Sequence, residues 1–323
     1  NKLSISDTQK AIKLVKDTFE EALAERLNLT RVSAPMFVEA NSGLNDNLNG
    51  EKPVSFYLPN LNKEVEIVQS LAKWKRYALG KYAFSEGMGL YTDMNAIRRD
   101  ETVDAIHSIY VDQWDWEKVI NKNNRNIDYL KTVVQKIIDA LVHTNNSLKS
   151  AFPNLSFEIE PDVYFITSQA LLDMYPNLSP KEREHEICRL KKTVFIIGIG
   201  NELSDGKPHD SRAPDYDDWD LNGDILLYYP LLDCAVEISS MGIRVNREVI
   251  IKQLQQVNAL ERINLPFHQA IINNQLPLTI GGGIGQSRIC LLLLEKLHIG
   301  EVQVSTWEDA DILAANKHSA HIL

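Results

Sequence analysis

The chain has few cysteines, no long apolar run and no excess of positive charge, and each shortage removes a class of protein. Its three cysteines, Cys188, Cys234 and Cys290, are scattered and odd in number. They give no disulfide framework and no zinc-ligand spacing, and they suit a reducing cytoplasm. No apolar stretch approaches the ~18 residues of a membrane-spanning helix, and no secretory signal is visible at the start, so no membrane partner is expected. With 34 basic and 44 acidic residues the net charge is −10, which offers no electrostatic footprint for nucleic acid. Internal repeats, linkers and low-complexity tracts are also missing, so residues 1–323 read as one domain. What remains, 44% hydrophobic and 24% charged, is enough for a large globular core.

The most informative stretch is Thr279–Arg288, Thr-Ile-Gly-Gly-Gly-Ile-Gly-Gln-Ser-Arg, followed by the apolar run Ile289 to Leu294. Glycine inside a strand marks a place where a ligand or another backbone comes close. The stretch is not a phosphate loop, because no Gly-Lys-Ser/Thr follows the glycines, and it lies far from any opening βαβ unit. Arg288, at the mouth of a buried helix, can lay its flat guanidinium on a base or fork onto phosphate oxygens.

Periodicity supplies the other elements. Ser6 to Leu27 is an amphipathic helix capped by Ser6 or Asp7, followed by a strand from Thr30 to Ser33 that Pro35 ends. Asn41 to Gly50 is dense in Asn and Gly and reads as a surface loop or mobile lid with Asp46 at its centre. Val54–Tyr57 and Glu64–Val68 alternate as strands, and Ser70 is the expected cap of the helix after them. From Ile109 the chain alternates so that Gln113, Asp115 and Glu117 share one strand face and tryptophans the other, which suits the floor of a polar pocket. Asp128–Ser150, Ser168–Met174, Pro180–Lys191, Asn246–Leu260 and Leu265–Asn274 read as helices, and Leu155–Phe165 holds one or two short strands. Thr193–Gly198, Asp224–Tyr229 and Cys234–Val245 read as strands. Asp210 to Asp224 reads as an acidic, mostly solvated loop. Glu237 and Arg244, in an otherwise apolar strand, are costly without partners and therefore mark a site.

Five stretches, in order, resemble one family. Gln69-Ser70 to Lys75, Arg98-Arg-Asp-Glu101, Gln113-Trp-Asp115-Trp-Glu117, Glu237 to Arg244 and Gly283 to Arg288 are similar to the catalytic motifs of aspartyl- and asparaginyl-tRNA synthetases, which are class II enzymes. Departures are Ala72, the extra residue before Asp100, and Ser239-Ser240-Met241 where the synthetases carry glycines. Over its full length the chain more closely resembles the aspartate–ammonia ligases, in Ser70 to Arg76, Tyr110 to Glu117, Arg212 to Trp219, Leu221 to Ile225, Ser239 to Val245 and Thr279 to Arg288. A tRNA-charging enzyme is the nearest rival, against which stand the missing anticodon-binding barrel and the negative charge. A catalytically dead paralogue should have lost Arg98 and Arg288, and both are present.

The resemblance implies an α+β fold of the class II kind, a mainly antiparallel sheet flanked by helices, working as a homodimer built on the first helix. It implies L-aspartate, ammonia and ATP as substrates, Mg²⁺ as cofactor, and asparagine, AMP and pyrophosphate as products of a β-aspartyl adenylate. Two anions must meet, so fixed cations are needed. Arg98 is assigned to the α-phosphate and the attacking carboxylate, and Arg288, with Gly283 and Gly285 beside it, to the rest of ATP. Asp217 is expected near the nucleotide, and Asp224 and Glu237 as Mg²⁺ ligands. Asp115 should take the substrate α-ammonium, and Ser70, Lys75, Ser240 and Arg244 are candidates for its α-carboxylate. Gln113 and Asp46 remain for the side-chain end, where ammonia arrives.

Overall fold

The computed structural model describes residues 2–46, 51–317 and 320–323. The expected lid therefore falls partly outside the described residues, at 47–50. In chain order the elements are α1 (Ile5–Leu27), β1 (Leu29–Arg31), β2 (Phe37–Glu39), β3 (Ser55–Leu58), β4 (Lys63–Ile67), α2 (Ala72–Lys81), β5 (Gly89–Ile97), β6 (Tyr110–Val119) and α3 (Ile127–Ala151). Then follow β7 (Tyr164–Thr167), α4 (Ser168–Met174), α5 (Pro180–Lys191), β8 (Thr193–Ile197), β9 (Asp217–Tyr229), β10 (Cys234–Arg244), α6 (Arg247–Gln256), α7 (Pro266–Ile272), β11 (Thr279–Gly285), α8 (Gln286–Leu293) and α9 (Asp309–Lys317).

Eight strands form one sheet in the order β1-β5-β6-β11-β10-β9-β8-β7, and β2-β4-β3 form a small second sheet. Only the outermost pairs of the large sheet, β1/β5 and β7/β8, are parallel. This is the expected α+β architecture. One face of the large sheet carries Trp114, Trp116, Ile280, Ile284, Met241, Ile243, Phe195 and Ile225 into the main core, under α1, α3 and α8. On the opposite face, α2 covers β5 and β6 through Trp74, Ala78 and Leu79, and α5 covers β8 and β9 through Ile187 and Cys188. Between α2 and α5 the middle strands are left open, and that gap is the cleft described below.

Several expectations are corrected here. Ser4, and not Ser6 or Asp7, is the N-cap of α1, its hydroxyl accepting the Asp7 N–H at 3.1 Å. The apolar stripe of α1, including Val15, Phe19 and Leu23, is buried inside this chain, with the Phe19 ring 4.6 Å from that of Trp114. That face cannot be the one that meets a second copy. Leu71 takes the N-cap position of α2, while the Ser70 hydroxyl accepts the Ala72 N–H at 3.1 Å. Strand β5 is an element that periodicity does not predict, and within 155–165 only Tyr164 and Phe165 belong to a strand. The acidic stretch is no solvated loop: β9 starts at Asp217, and Asp215, Asp217, Asp218 and Asp224 are all buried. Arginine and lysine partners make that burial possible, as with Arg125 and Asp218 at 2.6 Å or Lys73 and Asp215 at 3.0 Å. Among the described residues, no helix is long and apolar enough to cross a membrane.

Candidate active site

The cleft encloses about 430 Å³ over β6, β11, β10 and the start of β9. Every site residue expected from the sequence lines it except Asp46. Strand alternation explains much of this. On β6, Trp114 and Trp116 are fully buried in the core, so Gln113, Asp115 and Glu117 share the other face, where Gln113 and Asp115 line the cleft and Glu117 is wholly buried. On β10 the register shifts between Glu237 and Ser239, and this bulge brings Glu237 and Ser240 to the same side, where the Ser240 hydroxyl donates to Glu237 Oε1 at 2.9 Å.

The glycines of β11 serve a neighbour closer than any ligand. A Cβ on Gly281 would meet Glu117 Oε2 at 1.9 Å, and one on Gly283 would meet Gln113 Oε1 at 2.1 Å. Both glycines leave room for the polar side chains of β6 to lie across β11, while a Cβ on Gly282 would meet that of Met241 at 2.5 Å on the core side. At Gly285 an added Cβ would make only ordinary contact, with Arg288.

At one end of the cleft lies a closed ion network. Arg244 forks onto Glu117, Nε to Oε1 at 2.9 Å and the second arm to Oε2 at 2.8 Å, and its remaining nitrogen donates to Asp217. Lys75 donates to Asp115 and to the Gly282 carbonyl, the latter at 2.9 Å, and stands 3.8 Å from Glu117. Burial lowers the pKa of Lys75, opposed by Asp115 and Glu117. Burial works to raise that of Glu117, but Arg244 holds it below its ordinary value. The Tyr216 ring lies under the Arg244 guanidinium, 5.6 Å away, and burial and then the charge of Asp46 raise its phenol pKa. Asp46 is thus buried, does not line the cleft, and lies close enough to Tyr216 for its charge to act there.

The other end is built differently. Arg98 follows β5, held by its backbone N–H to the Ile109 carbonyl at 2.9 Å. Among the described residues no carboxylate lies within ion-pair distance of its guanidinium, whose buried Nε has no partner. Arg99, next to it, is exposed and paired with Asp100 at 3.1 Å, as a surface residue should be. Arg288 is held flat by two carbonyls, of Ile106 at 3.3 Å and Glu237 at 2.8 Å. Asp112 sets this arrangement: its carboxylate accepts the Ser287 N–H at 3.1 Å and hydroxyl at 2.8 Å, so it caps α8 from the neighbouring strand.

Asp224 and Glu237 sit between the two ends. Burial raises the Asp224 carboxyl to about 6 against the pull of Arg212, and the charge of Glu237 adds to the rise. Burial acts to raise Glu237 as well, but Arg288, Lys181 and Arg212 hold it below the usual range. Two crowded carboxylates with oxygen-only donors fit Mg²⁺, which usually takes one or two protein carboxylates together with phosphate and water. Among the described residues no third His, Cys, Asp or Glu joins them.

Sequence reasoning gave no role to Arg212, Asp112 or Tyr216. Arg212 is the largest omission: it pairs with Asp224 and stands 3.6 Å from Asp217, which is thereby held between two arginines. The one available signal was a lone arginine at the head of an acidic run.

The chain was compared with known proteins. A family model described as aspartate–ammonia ligase matches residues 6–319. Aspartate–ammonia ligases of Clostridium perfringens and Ruminiclostridium cellulolyticum are 56% and 55% identical, each over 99% of this chain and 96% of its own length. That of Pediococcus pentosaceus is 53% identical over 100% of this chain and 97% of its own. Among solved structures, the asparaginyl-tRNA synthetase of Pyrococcus horikoshii complexed with asparaginyl-adenylate superposes with a TM-score of 0.67 at 15% identity, over 92% of this chain and 68% of that one. The asparaginyl-tRNA synthetase of Entamoeba histolytica gives 0.63 at 15% identity, over 92% and 66%. The two synthetases share the fold.

Proposed function

The chain belongs to the aspartate–ammonia ligase family, and from that premise we propose that its cleft makes asparagine in two steps through a β-aspartyl adenylate. The enzyme forms asparagine from aspartate and ammonia and uses ATP to do so. In the first step a β-carboxylate oxygen of aspartate attacks the α-phosphorus, and the bond to the β-phosphate breaks, releasing pyrophosphate. In the second, ammonia attacks the acyl carbon, AMP leaves, and a proton passes from nitrogen to a base.

The observation that carries this reading is one cleft with a matched amino-acid end and an arginine end. Aspartate lies over the Lys75–Asp115 pair, its α-ammonium on Asp115 and its α-carboxylate toward Lys75, Ser70 and the remaining N–H groups of Arg244. Arg98, free of any acidic partner among the described residues, takes the α-phosphate and the β-carboxylate. Arg288, held flat, stacks on adenine or reaches the tail phosphates. Gly285, open beside it, lets the nucleotide approach, whereas Gly283 serves Gln113. Asp217 acts through the arginines it holds. Asp224 and Glu237 would hold Mg²⁺, which would neutralise phosphate charge. Gln113 and Asp46 belong to the ammonia step. Ammonia near neutral pH is mostly ammonium, and a buried carboxylate can attract the cation and then accept its proton. The protein works in the cytoplasm as a homodimer, and since α1 spends its apolar face inside the chain, the contact uses other surface. The test is the product pair. With ATP, Mg²⁺, aspartate and ammonium the protein should yield asparagine, AMP and pyrophosphate; ADP with phosphate would rule out the adenylate.

A further inference from the structure

We propose that Asn45 is a positioning residue for amide formation, pinning Asp46 to the segment that carries the aspartate-binding side chains; this rests on the reading of Asp46 given above. The carboxamide is used at both ends. Its Oδ1 accepts the N–H of Asp46 at 3.0 Å and that of Gln69 at 2.9 Å. Its Nδ2 donates to the Ile67 carbonyl at 3.3 Å and to Glu66 Oε2 at 3.1 Å. Two N–H donors on one side and two acceptors on the other fix which way the amide points.

These four bonds join two parts of the chain that the reaction must bring together. Residues Glu66, Ile67 and Gln69 run from the end of β4 into Ser70 and then α2, whose Lys75 holds Asp115. On the other side is the backbone of Asp46, whose carboxylate lies near Tyr216. Leu44 anchors this segment to the core, but an apolar anchor does not by itself set the position of a neighbouring carboxylate. The Asn45 amide supplies that fix and references it to the aspartate pocket. Asn45 is itself absent from the cleft wall and acts only through Asp46.

The test compares the two half-reactions. Asn45→Ala should keep aspartate-dependent exchange of pyrophosphate into ATP within a few-fold. It should lower asparagine formation by roughly tenfold, the effect of losing hydrogen bonds of ordinary strength that fix a reacting group. The missing product should appear as adenylate hydrolysed back to aspartate and AMP. Asn45→Asp keeps the acceptor, loses both donors and sets a carboxylate against Glu66. Adding Glu66→Gln returns a donor, so the double variant should regain part of the amide yield lost in Asn45→Asp. Asp46→Asn is measured alongside. If it shows the selective defect and Asn45→Ala does not, or if Asn45→Ala lowers both half-reactions equally, the positioning role is overturned and the reading of Asp46 stands. If Asp46→Asn itself lacks the selective defect, that reading falls and the proposal with it.

Discussion

The two ends of the cleft differ in how their charges are matched. At the end proposed for the amino acid, Arg244 and Lys75 are in direct contact with Glu117, Asp217 and Asp115, all five are buried, and Arg212 stands 3.6 Å from Asp217, so every charge has an opposite partner. At the end proposed for the nucleotide, Arg98 has no acid beside it among the described residues, and between the two ends burial and the charge of Glu237 raise the Asp224 carboxyl to about 6 against the pull of Arg212. A network in which every charge has a partner is scaffold: it fixes geometry and presents few strong charges to a zwitterionic amino acid. An end with unmatched charge gains most when a polyanion arrives with its metal. The contrast predicts that breaking the first end costs folding, and that breaking the second costs rate.

The largest effect should come from Glu117→Gln. Its carboxylate is wholly buried and accepts from two of the three nitrogens of Arg244. Removing one member of a buried pair leaves the other uncompensated, at a cost of about 3–5 kcal/mol in stability, measurable by urea unfolding. The pH dependence has a defined sign. The folded pKa of Glu117 lies below its ordinary 4.5, so its stabilisation is present above that value and is lost as pH falls through the depressed one. The variant should show a shallower acid limb than the parent. A variant as stable as the parent would mean that the network is not scaffold.

Arg98→Ala comes next. A charge-assisted contact to phosphate contributes ~1.5–3 kcal/mol, so the loss should be roughly 10- to 150-fold, and in kcat if the contact tightens in the transition state. Stability should change little, because Arg98 supports no carboxylate. Near-normal turnover would remove Arg98 from the α-phosphate, and a large loss of stability would erase the contrast between the ends.

The contrast also explains what could be read in advance. The β6 face was legible because a period of two with tryptophans on one side leaves a single placement for Gln113, Asp115 and Glu117. The glycines of β11 were legible as a close approach, but not whose approach, since Gln113 and Glu117 lie far away in sequence. Strand β5 was hidden because Thr92, Asp93 and Asn95 break its apolar pattern, and neighbouring strands complete it. The burial of Asp215, Asp217 and Asp218 depends on Lys73, Arg244 and Arg125, cations that only the fold brings near. Composition alone makes such a run look solvated. Arg212 was missed for the same reason, because its role comes from Asp224 across a bend of the chain.

Ser240 should give the smallest effect and the sharpest location for the border between the ends. The sequence made it a candidate for the aspartate α-carboxylate. Its hydroxyl instead donates to Glu237 at 2.9 Å, it lies opposite Asp224 in the β9/β10 register, and its hydrogen bond lowers the Asp224 pKa against the larger effect of burial. These contacts put it with the proposed metal carboxylates. The residue is only half-buried, so water can replace the hydroxyl in Ser240→Ala, and the net loss should be ~0.5–1.5 kcal/mol, or about 2- to 13-fold. Where the loss falls is decisive. If Ser240 trims the carboxylate pair, the apparent affinity for Mg²⁺–ATP should weaken while the KM for aspartate holds. The opposite pattern would return Ser240 to the amino-acid end and move the border one strand position toward Asp224. In that case the hydroxyl leaves Glu237 when aspartate binds, and the carboxylate pair must be held by Arg212, Lys181 and Arg288.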